Sequence, residues 1–241
     1  MPSGRPPSAT HRPAGRWGVL LAAVLPAGVM LQVESAQANG SSQALFLDSL
    51  AELRGHDPAV RDVAGIVLQG SGGNTGCGAA PEGDLVVFYC PRDRTIYAAA
   101  SSLEQVAQRF GTAGVHYLAA HEMAHGRQHA ITGYARNIVR TSVLDELQAD
   151  CIAGAYLNRL YGYTVSSQAG ELARQFAYSI GDHSYLHPDW HGNPRLRVAA
   201  LSRGMNQGEP VRCLSSSRFN YGTLLEQGAT WLQRWQQMQR K

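Results

Sequence analysis

The chain has 241 residues, of which 44% are hydrophobic and 16% are charged. A disordered chain combines low hydrophobicity with high charge, so this composition excludes a largely disordered protein. It allows one domain with a sizeable hydrophobic core. The formal net charge of +3 arises mainly from three arginines in residues 1–38, and the remaining 18 basic and 17 acidic residues argue against a nucleic-acid partner.

Residues 1–38 have the pattern of an export signal. A basic, proline-rich start is followed by an apolar run at 17–33, and Ala-Gln-Ala at 36–38 has the small-residue pattern of a signal-peptidase site. The run is slightly short for a membrane-spanning helix, which needs about 20 residues. We therefore predict a signal peptide at 1–38 and a secreted or periplasmic domain at 39–241. The alternative is an uncleaved N-terminal anchor, the one form that would place the protein at a membrane.

The first part of the predicted domain contains a short helix and a small sheet. Phe46, Leu50 and Leu53 recur at helical spacing and form one face. Five glycines within 70–78 predict a loop. Three runs are rich in β-forming residues and are predicted to be strands: 63–68, 85–89 and 95–99. The turn sequence Pro-Arg-Asp-Arg at 91–94 makes the last two a hairpin.

Beyond residue 100 the apolar pattern is helical. The predicted helices span 101–110, 113–130, 142–161, 166–180, 194–206 and 222–239. In the last of them Leu225, Ala229, Leu232 and Trp235 lie on one face, which we expect to pack on the core. The predicted fold class is α+β, a helix-dominated single domain with a small β-sheet or hairpin before the helix at 113–130.

The helix predicted at 113–130 contains the sequence His121-Glu122-Met123-Ala124-His125. Histidines four residues apart share one helix face, so both imidazoles can bind one metal ion. Glu122 is close enough to act on a metal-bound water without binding the metal itself. This is the HExxH arrangement of zinc proteases, in which the glutamate is the general base. It predicts one zinc ion per chain, bound by His121, His125 and a third ligand.

Spacing excludes two candidates for the third ligand. The metzincin pattern needs a histidine six residues after His125, and this chain has Ile131 there. His129 lies about 12 Å from His121 along a helix, which is too far for the three histidines to share one ion. His129 is therefore predicted to be an ordinary surface residue of the helix.

Glu146 is the better candidate for the third ligand. Glu146 and Asp150 are like charges four residues apart, which destabilise an exposed helix, and no basic residue lies one turn away to compensate. Their helix face also carries Val143, Ala153 and Leu157, which indicates burial. Buried carboxylates need a metal or hydrogen-bond donors. We predict that Glu146 binds zinc and that Asp150 accepts the outer N–H of a ligand histidine. The alternative is a solvated acidic helix start.

The four cysteines form an even set, which in an exported protein indicates two disulfides. Cys77 and Cys90 flank a short loop and could close it locally. Cys151 and Cys213 would then tie a helix to the later chain. Free buried thiols are the alternative, and the absence of a CxxC pair weakens a structural zinc site.

Several segments resemble the family described as putative neutral zinc metallopeptidases. They are His-Glu-x-x-His-x-x-Gln at 121–128, Glu-Leu-Gln-Ala-Asp-Cys-Ile-Ala-Gly at 146–154, Cys-Gly at 77–78, Phe-Tyr-Cys-Pro-x-Asp-x-x-Ile-Tyr at 88–97, and His191-Gly192 with Arg197-Val198. The resemblance covers roughly residues 75–215, and the block at 146–154 is its most specific part. It implies a zincin-like fold, a gluzincin-type site with zinc on His121, His125 and Glu146, and peptidase activity.

The resulting hypothesis is an exported zinc metalloendopeptidase that acts on a peptide or protein substrate. Glu122 would take a proton from a metal-activated water as the water attacks a peptide carbonyl, and then pass that proton to the leaving amine. His191 is the candidate hydrogen-bond donor to the oxyanion, and the resemblance also points there. Arg197 would hold the loop that contains His191 or contact the substrate. The strand Thr95–Ala99 is predicted to be an edge strand that pairs with extended substrate, or else a plain core strand.

Two other functions stay open at this point. One is a catalytically silent zinc-binding scaffold, against which the intact Glu122 argues, since a pure binder needs no carboxylate there. The other is a zinc amidohydrolase that acts on non-protein amides. The residues themselves do not distinguish this activity from peptide hydrolysis.

Overall fold

The computed structural model describes residues 41–69, 73–132, 143–182, 192–214 and 221–240, so the predicted signal peptide lies outside it. These ranges contain six α-helices: α1 Ser42–His56, α2 Ala100–Ile131, α3 Val143–Tyr161, α4 Gln168–Ser179, α5 Pro194–Gln207 and α6 Tyr221–Gln239. They also contain five short strands: β1 Ala64–Leu68, β2 Asn74–Thr75, β3 Gly78–Ala79, β4 Val87–Cys90 and β5 Thr95–Ala99. Within the described part of the chain, no helix is both long and apolar enough to cross a membrane. The predicted helix-dominated α+β class is confirmed.

The first helix, α1, packs against α2 through the face that the sequence predicted. Phe46, Leu50 and Leu53 are all fully buried. The Ser41 side chain caps the helix by accepting a hydrogen bond from the backbone N–H of Ala44. The apolar spacing and the cap together define this element, and its buried face belongs to the same core cluster as the apolar side chains of α2.

The three-stranded sheet has the order β1-β5-β4. Its central strand, β5, runs parallel to β1, with Ala64 opposite Thr95, and antiparallel to β4, with Val87 opposite Ala98. The prediction that Thr95–Ala99 is an edge strand is therefore wrong, and the core-strand alternative is correct. The physical reason is that all five residues are buried, a pattern typical of a strand with both faces covered.

The long helix α2 contains a break at Gly111, where φ is 61° and ψ is −156°. The left-handed region is readily accessible to glycine, so the chain can bend here without strain. This break corresponds to the gap between the predicted helices at 101–110 and 113–130. The second part of α2 carries the HExxH sequence into the interior.

Helices α3 and α5 approach each other at two glycines. A Cβ atom added at Gly154 would clash with the backbone oxygen of Leu201, and one added at Gly204 would clash with the backbone oxygen of Cys151. The two helices therefore pack backbone against backbone. This close packing lets Arg197, in the first turns of α5, contact acidic residues on α3.

Both predicted disulfides are present. Cys77 is bonded to Cys90 at the end of β4, and Cys151 on α3 is bonded to Cys213 in a short turn after α5. The second bond joins residues 62 positions apart. Closing a loop of this length lowers the entropy of the unfolded chain by the equivalent of about 4 kcal/mol. This disulfide fastens the helix that carries Glu146 and Asp150.

Helix α6 packs on the core, but through a face next to the predicted one. Leu224 and Trp231 are buried, whereas Leu225, which was expected in the buried stripe, is 41% exposed. Trp231 donates a hydrogen bond from Nε1 to Glu171 on α4 at 3.1 Å and stacks on Trp235. The prediction is therefore wrong by one residue, or about 100° around the helix.

His116 on α2 makes the stability of the fold depend on pH. Its ring stacks on Tyr161 with centroids 3.9 Å apart, and its Nδ1 lies 2.8 Å from the hydroxyl of Tyr163. Burial lowers its pKa from 6.5 to about 4, although Glu52 opposes this shift. The unfolded chain therefore binds a proton more readily, and the folded state loses stability as the pH falls from about 6.5 to about 4.

We expect His116→Gln to reduce this acid sensitivity. Between pH 7.5 and pH 4.5 the wild-type protein should lose about 1–2 kcal/mol more unfolding free energy than the variant, after allowance for the partial exposure of the ring. Urea unfolding of both proteins at both pH values measures the difference, and groups that titrate alike in the two proteins cancel. An equal loss in the two proteins would show that His116 does not titrate in this way.

Candidate metal centre

Three electron-pair donors converge between α2 and α3. The Nε2 atoms of His121 and His125 lie 3.2 Å apart, and the Glu146 carboxylate oxygens lie 3.3 Å from the first and 3.4 Å from the second. A tetrahedral zinc ion with bonds of about 2.0–2.1 Å requires donors about 3.3 Å apart. The three separations match that value, so the residues fit a zinc ion and leave a fourth position for another ligand.

Each of the two histidines has a hydrogen-bond acceptor near its Nδ1 atom. His121 Nδ1 lies 3.0 Å from Asp150 Oδ1, although the ring is not aligned for a linear hydrogen bond, and His125 Nδ1 lies 2.9 Å from Gln128 Oε1. Acceptors at Nδ1 favour the tautomer that carries its proton there. Both Nε2 atoms then direct lone pairs toward each other and toward the Glu146 carboxylate. A cation between these three groups would accept electron pairs from all of them.

Asp150 is held by a buried network that local sequence did not predict. Arg197 donates from Nε and Nη2 to the two carboxylate oxygens, both at 3.0 Å, and Tyr117 donates its hydroxyl proton to Oδ1 at 2.5 Å. Arg197 also donates to the Tyr117 oxygen, and its Nη1 lies 3.7 Å from Glu146. Since Arg197 is only 2% exposed, it is placed to hold Asp150 and not to contact a substrate.

The charges around the cluster keep its two acids ionised. Burial opposes ionisation of Glu146, but His125, His121 and Arg197 hold its pKa well below the usual value. Asp150 behaves in the same way, with Arg197 as the main counter-charge. Burial alone would also lower the pKa of His121, yet the close carboxylates of Asp150 and Glu146 raise it to about 10. The same two negative charges that favour a proton here favour a metal cation.

Glu122 lies beside this cluster and is not one of its three converging donors. The residue is 7% exposed, and burial raises its pKa to about 7. A hydrogen bond from the backbone amide of Tyr89 opposes that rise. The edge of β4 therefore contacts the carboxyl group predicted to be the general base.

The structure tests the prediction for His129 but not the one for His191. His129 is not on the surface as predicted: it is 8% exposed, and its Nδ1 lies 2.9 Å from the hydroxyl of Tyr89. Packing of β4 against α2 covers this part of the helix. His191, the predicted oxyanion donor, lies outside the described residues, so its role stays a prediction.

A family model agrees with this geometry. The model described as "Putative neutral zinc metallopeptidase" matches residues 56–216, about two-thirds of the chain, and that range includes both helices of the metal centre. The chain belongs to this family. Membership and a His-His-Glu cluster that could hold a metal together support a zinc-binding protein.

Similar proteins from bacteria carry no assigned activity in their names. Uncharacterized protein YpfJ of Escherichia coli K12 is 31% identical over 168 residues, a match that covers 58% of this chain and 56% of YpfJ. Uncharacterized proteins Mb2605 of Mycobacterium bovis and Rv2575 of Mycobacterium tuberculosis are each 36% identical over 184 residues, covering 61% of this chain and 60% of the relative. The chain spans less than two thirds of the length of these relatives. No solved structure matches it significantly.

Sequence reasoning missed two residues of this family member's metal centre. Tyr117 lies one helical turn before His121, and that spacing was a signal that both share a face. Gln148 accepts a hydrogen bond from Gln128 at 3.0 Å and donates one to the backbone oxygen of Cys213 at 3.2 Å. Because Gln128 contacts His125, these amides connect a ligand histidine to the disulfide-bonded turn.

We expect Gln128→Ala to weaken zinc binding about 10–100-fold, because His125 loses the acceptor that orients its ring. Gln128 also donates to the backbone oxygen of Asp145 at 2.8 Å, one residue before Glu146. Competition with a fluorescent chelator measures the zinc dissociation constant. The matched control is Gln105→Ala, an exposed glutamine on the same helix. Equal affinity in the two variants would contradict the orienting role.

Proposed function

We propose that the protein is an exported zinc-dependent peptidase with Glu122 as the general base. The observation that carries the proposal is the spacing of the donor atoms on His121, His125 and Glu146, which equals the spacing that tetrahedral zinc requires. Two histidines and one carboxylate are one of the donor sets found in catalytic zinc sites, which keep one position open. Membership of a metallopeptidase family supports the same reaction class.

In this proposal the chain divides the reaction between a few side chains. When bound, zinc supplies a Lewis acid that polarises a peptide carbonyl and lowers the pKa of a water molecule. Glu122 accepts the proton of the attacking water at its carboxylate and returns it to the leaving amine. Asp150 and Gln128 keep the two ligand imidazoles in one orientation, and Arg197 keeps Asp150 in place.

The proposed substrate is an extended peptide that lies along β4. This strand pairs with β5 on one side, and no described strand pairs with its other side. A peptide that adds to such an edge obtains main-chain hydrogen bonds without a specific side-chain sequence. The contact between the Tyr89 amide and Glu122 brings this edge close to the proposed base. The substrate-binding role first expected of β5 therefore passes to β4.

Export is supported by the cysteine chemistry. Both disulfides join residues of the folded domain, and disulfides persist mainly in oxidising compartments. The Ala-Gln-Ala sequence at 36–38 fits a signal-peptidase site just before the first described helix. A secreted or periplasmic location follows as part of the proposal.

The decisive experiment incubates the purified exported protein with a mixed peptide library and follows new termini by mass spectrometry. We expect cleavage that stops on addition of a chelator and returns on addition of zinc. A parallel arm offers non-protein amides, and cleavage of those alone would favour an amidohydrolase. Stoichiometric zinc without cleavage of any amide would favour a scaffold. Either result would overturn the proposed activity.

A further inference from the structure

A second concave site lies between helices α4, α5 and α6. It encloses about 870 Å³, a size typical of pockets that bind small molecules or short peptides. None of the residues that line it belongs to the metal centre. Three guanidinium groups, one from each helix, contribute to its wall: Arg174 on α4, Arg203 on α5 and Arg234 on α6.

The charge of this groove is positive. Glu171 is the one acidic residue among its described lining residues, and its carboxylate is already engaged. Its Oε2 accepts hydrogen bonds from Arg174 and from Trp231 Nε1, while Gln175 donates to its Oε1 at 3.3 Å. The lining therefore contains three guanidinium groups and one carboxylate, which is paired with Arg174, so its composition favours a ligand with negative charge.

Two buried polar atoms in the lining have no hydrogen-bond partner within the described part of the chain. One is the Nε of Arg174, a donor on a side chain that is nine-tenths buried, and the other is the Oε1 of Gln207, an acceptor. Both atoms are shielded from solvent, so a ligand pairs with them only when the two side chains turn toward the groove, and the cost of an unsatisfied buried polar group favours that turn. A peptide offers both a carbonyl acceptor and an N–H donor, whereas phosphate and carboxylate ions offer acceptors only.

The remaining lining fits a peptide as well. Gln168, Asn206 and Gln227 add side-chain amides, which can donate to and accept from a peptide backbone. The ring of Trp231 provides an apolar surface, with the Arg174 guanidinium 5.9 Å from its centroid. We propose that this groove binds an acidic peptide segment at a site separate from the metal centre.

The test measures binding of rhodamine-labelled hexapeptides by fluorescence anisotropy at constant ionic strength. The acidic probe has the sequence Ser-Glu-Leu-Glu-Ser-Glu, and its uncharged control replaces each glutamate with glutamine. The protein carries Glu122→Gln so that the probe is not cleaved. We expect the acidic probe to bind at least about tenfold more tightly than the control, and inorganic phosphate to compete only weakly.

Variants of two lining arginines, Arg203 on α5 and Arg234 on α6, locate the site. Arg234→Gln should weaken binding of the acidic probe about fivefold, and Arg203→Gln combined with Arg234→Gln about twentyfold. The control Arg240→Gln changes an exposed arginine just after the end of α6 that does not line the groove, and it should change binding less than about twofold. Circular dichroism and thermal unfolding check that each variant is folded. Equal binding of the two probes, phosphate binding as tight as the peptide, or equal losses in all variants would overturn the proposal. A dimer that the double variant dissociates would assign the groove to a second copy instead.

Discussion

Replacing Glu122 with glutamine is expected to preserve zinc binding and to lower the rate of peptide hydrolysis by about 10²–10⁴-fold, the usual contribution of a general acid–base group. Glutamine has the same shape but cannot accept the proton of the attacking water. The zinc ligands are unchanged because the Glu122 carboxyl is not among the converging donors. Metal content by mass spectrometry and the initial rate of cleavage of one library peptide test both halves of the prediction.

The control for this variant is Glu104→Gln, an exposed glutamate on the same helix. It removes the same charge at a distance from the proposed metal centre, so zinc content and hydrolysis should both stay at the wild-type level. Hydrolysis by Glu122→Gln at the wild-type rate would refute the general-base role. Loss of zinc from that variant would show instead that Glu122 helps to bind the metal.

Replacing Glu146 with alanine is expected to abolish stoichiometric zinc binding and hydrolysis together. The loss of affinity should exceed the roughly 100-fold effect of removing an outer hydrogen-bond partner, because a direct donor is lost. The carboxylate lies 3.3 Å and 3.4 Å from the two histidine donors, and among the described residues no other carboxylate, thiol or imidazole converges with them. Zinc per chain after dialysis, together with the dissociation constant from chelator competition, measures the effect.

The variant Glu146→Gln distinguishes the loss of a zinc donor from a loss of folding. Glutamine fills the same volume, so a loss of zinc with normal circular dichroism would reflect the donor and not a collapsed site. Glu82→Ala, at an exposed loop position, is the charge control and should retain one zinc per chain. If Glu146→Gln and Glu146→Ala were both folded and both bound zinc as tightly as the wild type, the third ligand would have to be sought elsewhere.

The part of the metal centre that lies on single helices could be predicted from the sequence. His121 and His125 share a face because a helix brings residues four apart onto one side, and the structure places their Nε2 atoms 3.2 Å apart. The same periodicity identified Glu146 and Asp150 as candidates, because it places these two acids on a buried helix face. The helices beyond residue 100 and all three strands of the β1-β5-β4 sheet also follow from the sequence pattern within 2 residues at each end.

Features that depend on packing between distant segments were predicted less well. β5 is central because β1 pairs along its second edge, and no residue of β5 specifies that partner. His129 is buried because β4 packs against α2 and brings the Tyr89 hydroxyl to its ring. The buried face of α6 differs from the predicted stripe by one residue, since Leu224 and Leu225 are equally apolar and only the surface beneath selects between them.

The distribution of charge likewise depends partly on order along the chain and partly on packing. Composition and spacing alone assign the excess of basic residues to a predicted leader and two acids to a predicted metal centre, because both depend on order along the chain. They did not identify a basic partner for the buried acids Glu146 and Asp150. That partner is Arg197, 47 residues from Asp150, and it reaches α3 because Gly154 and Gly204 let two helices pack backbone to backbone. Pairing between side chains 47 residues apart depends on three-dimensional packing, and local periodicity carries no information about such packing.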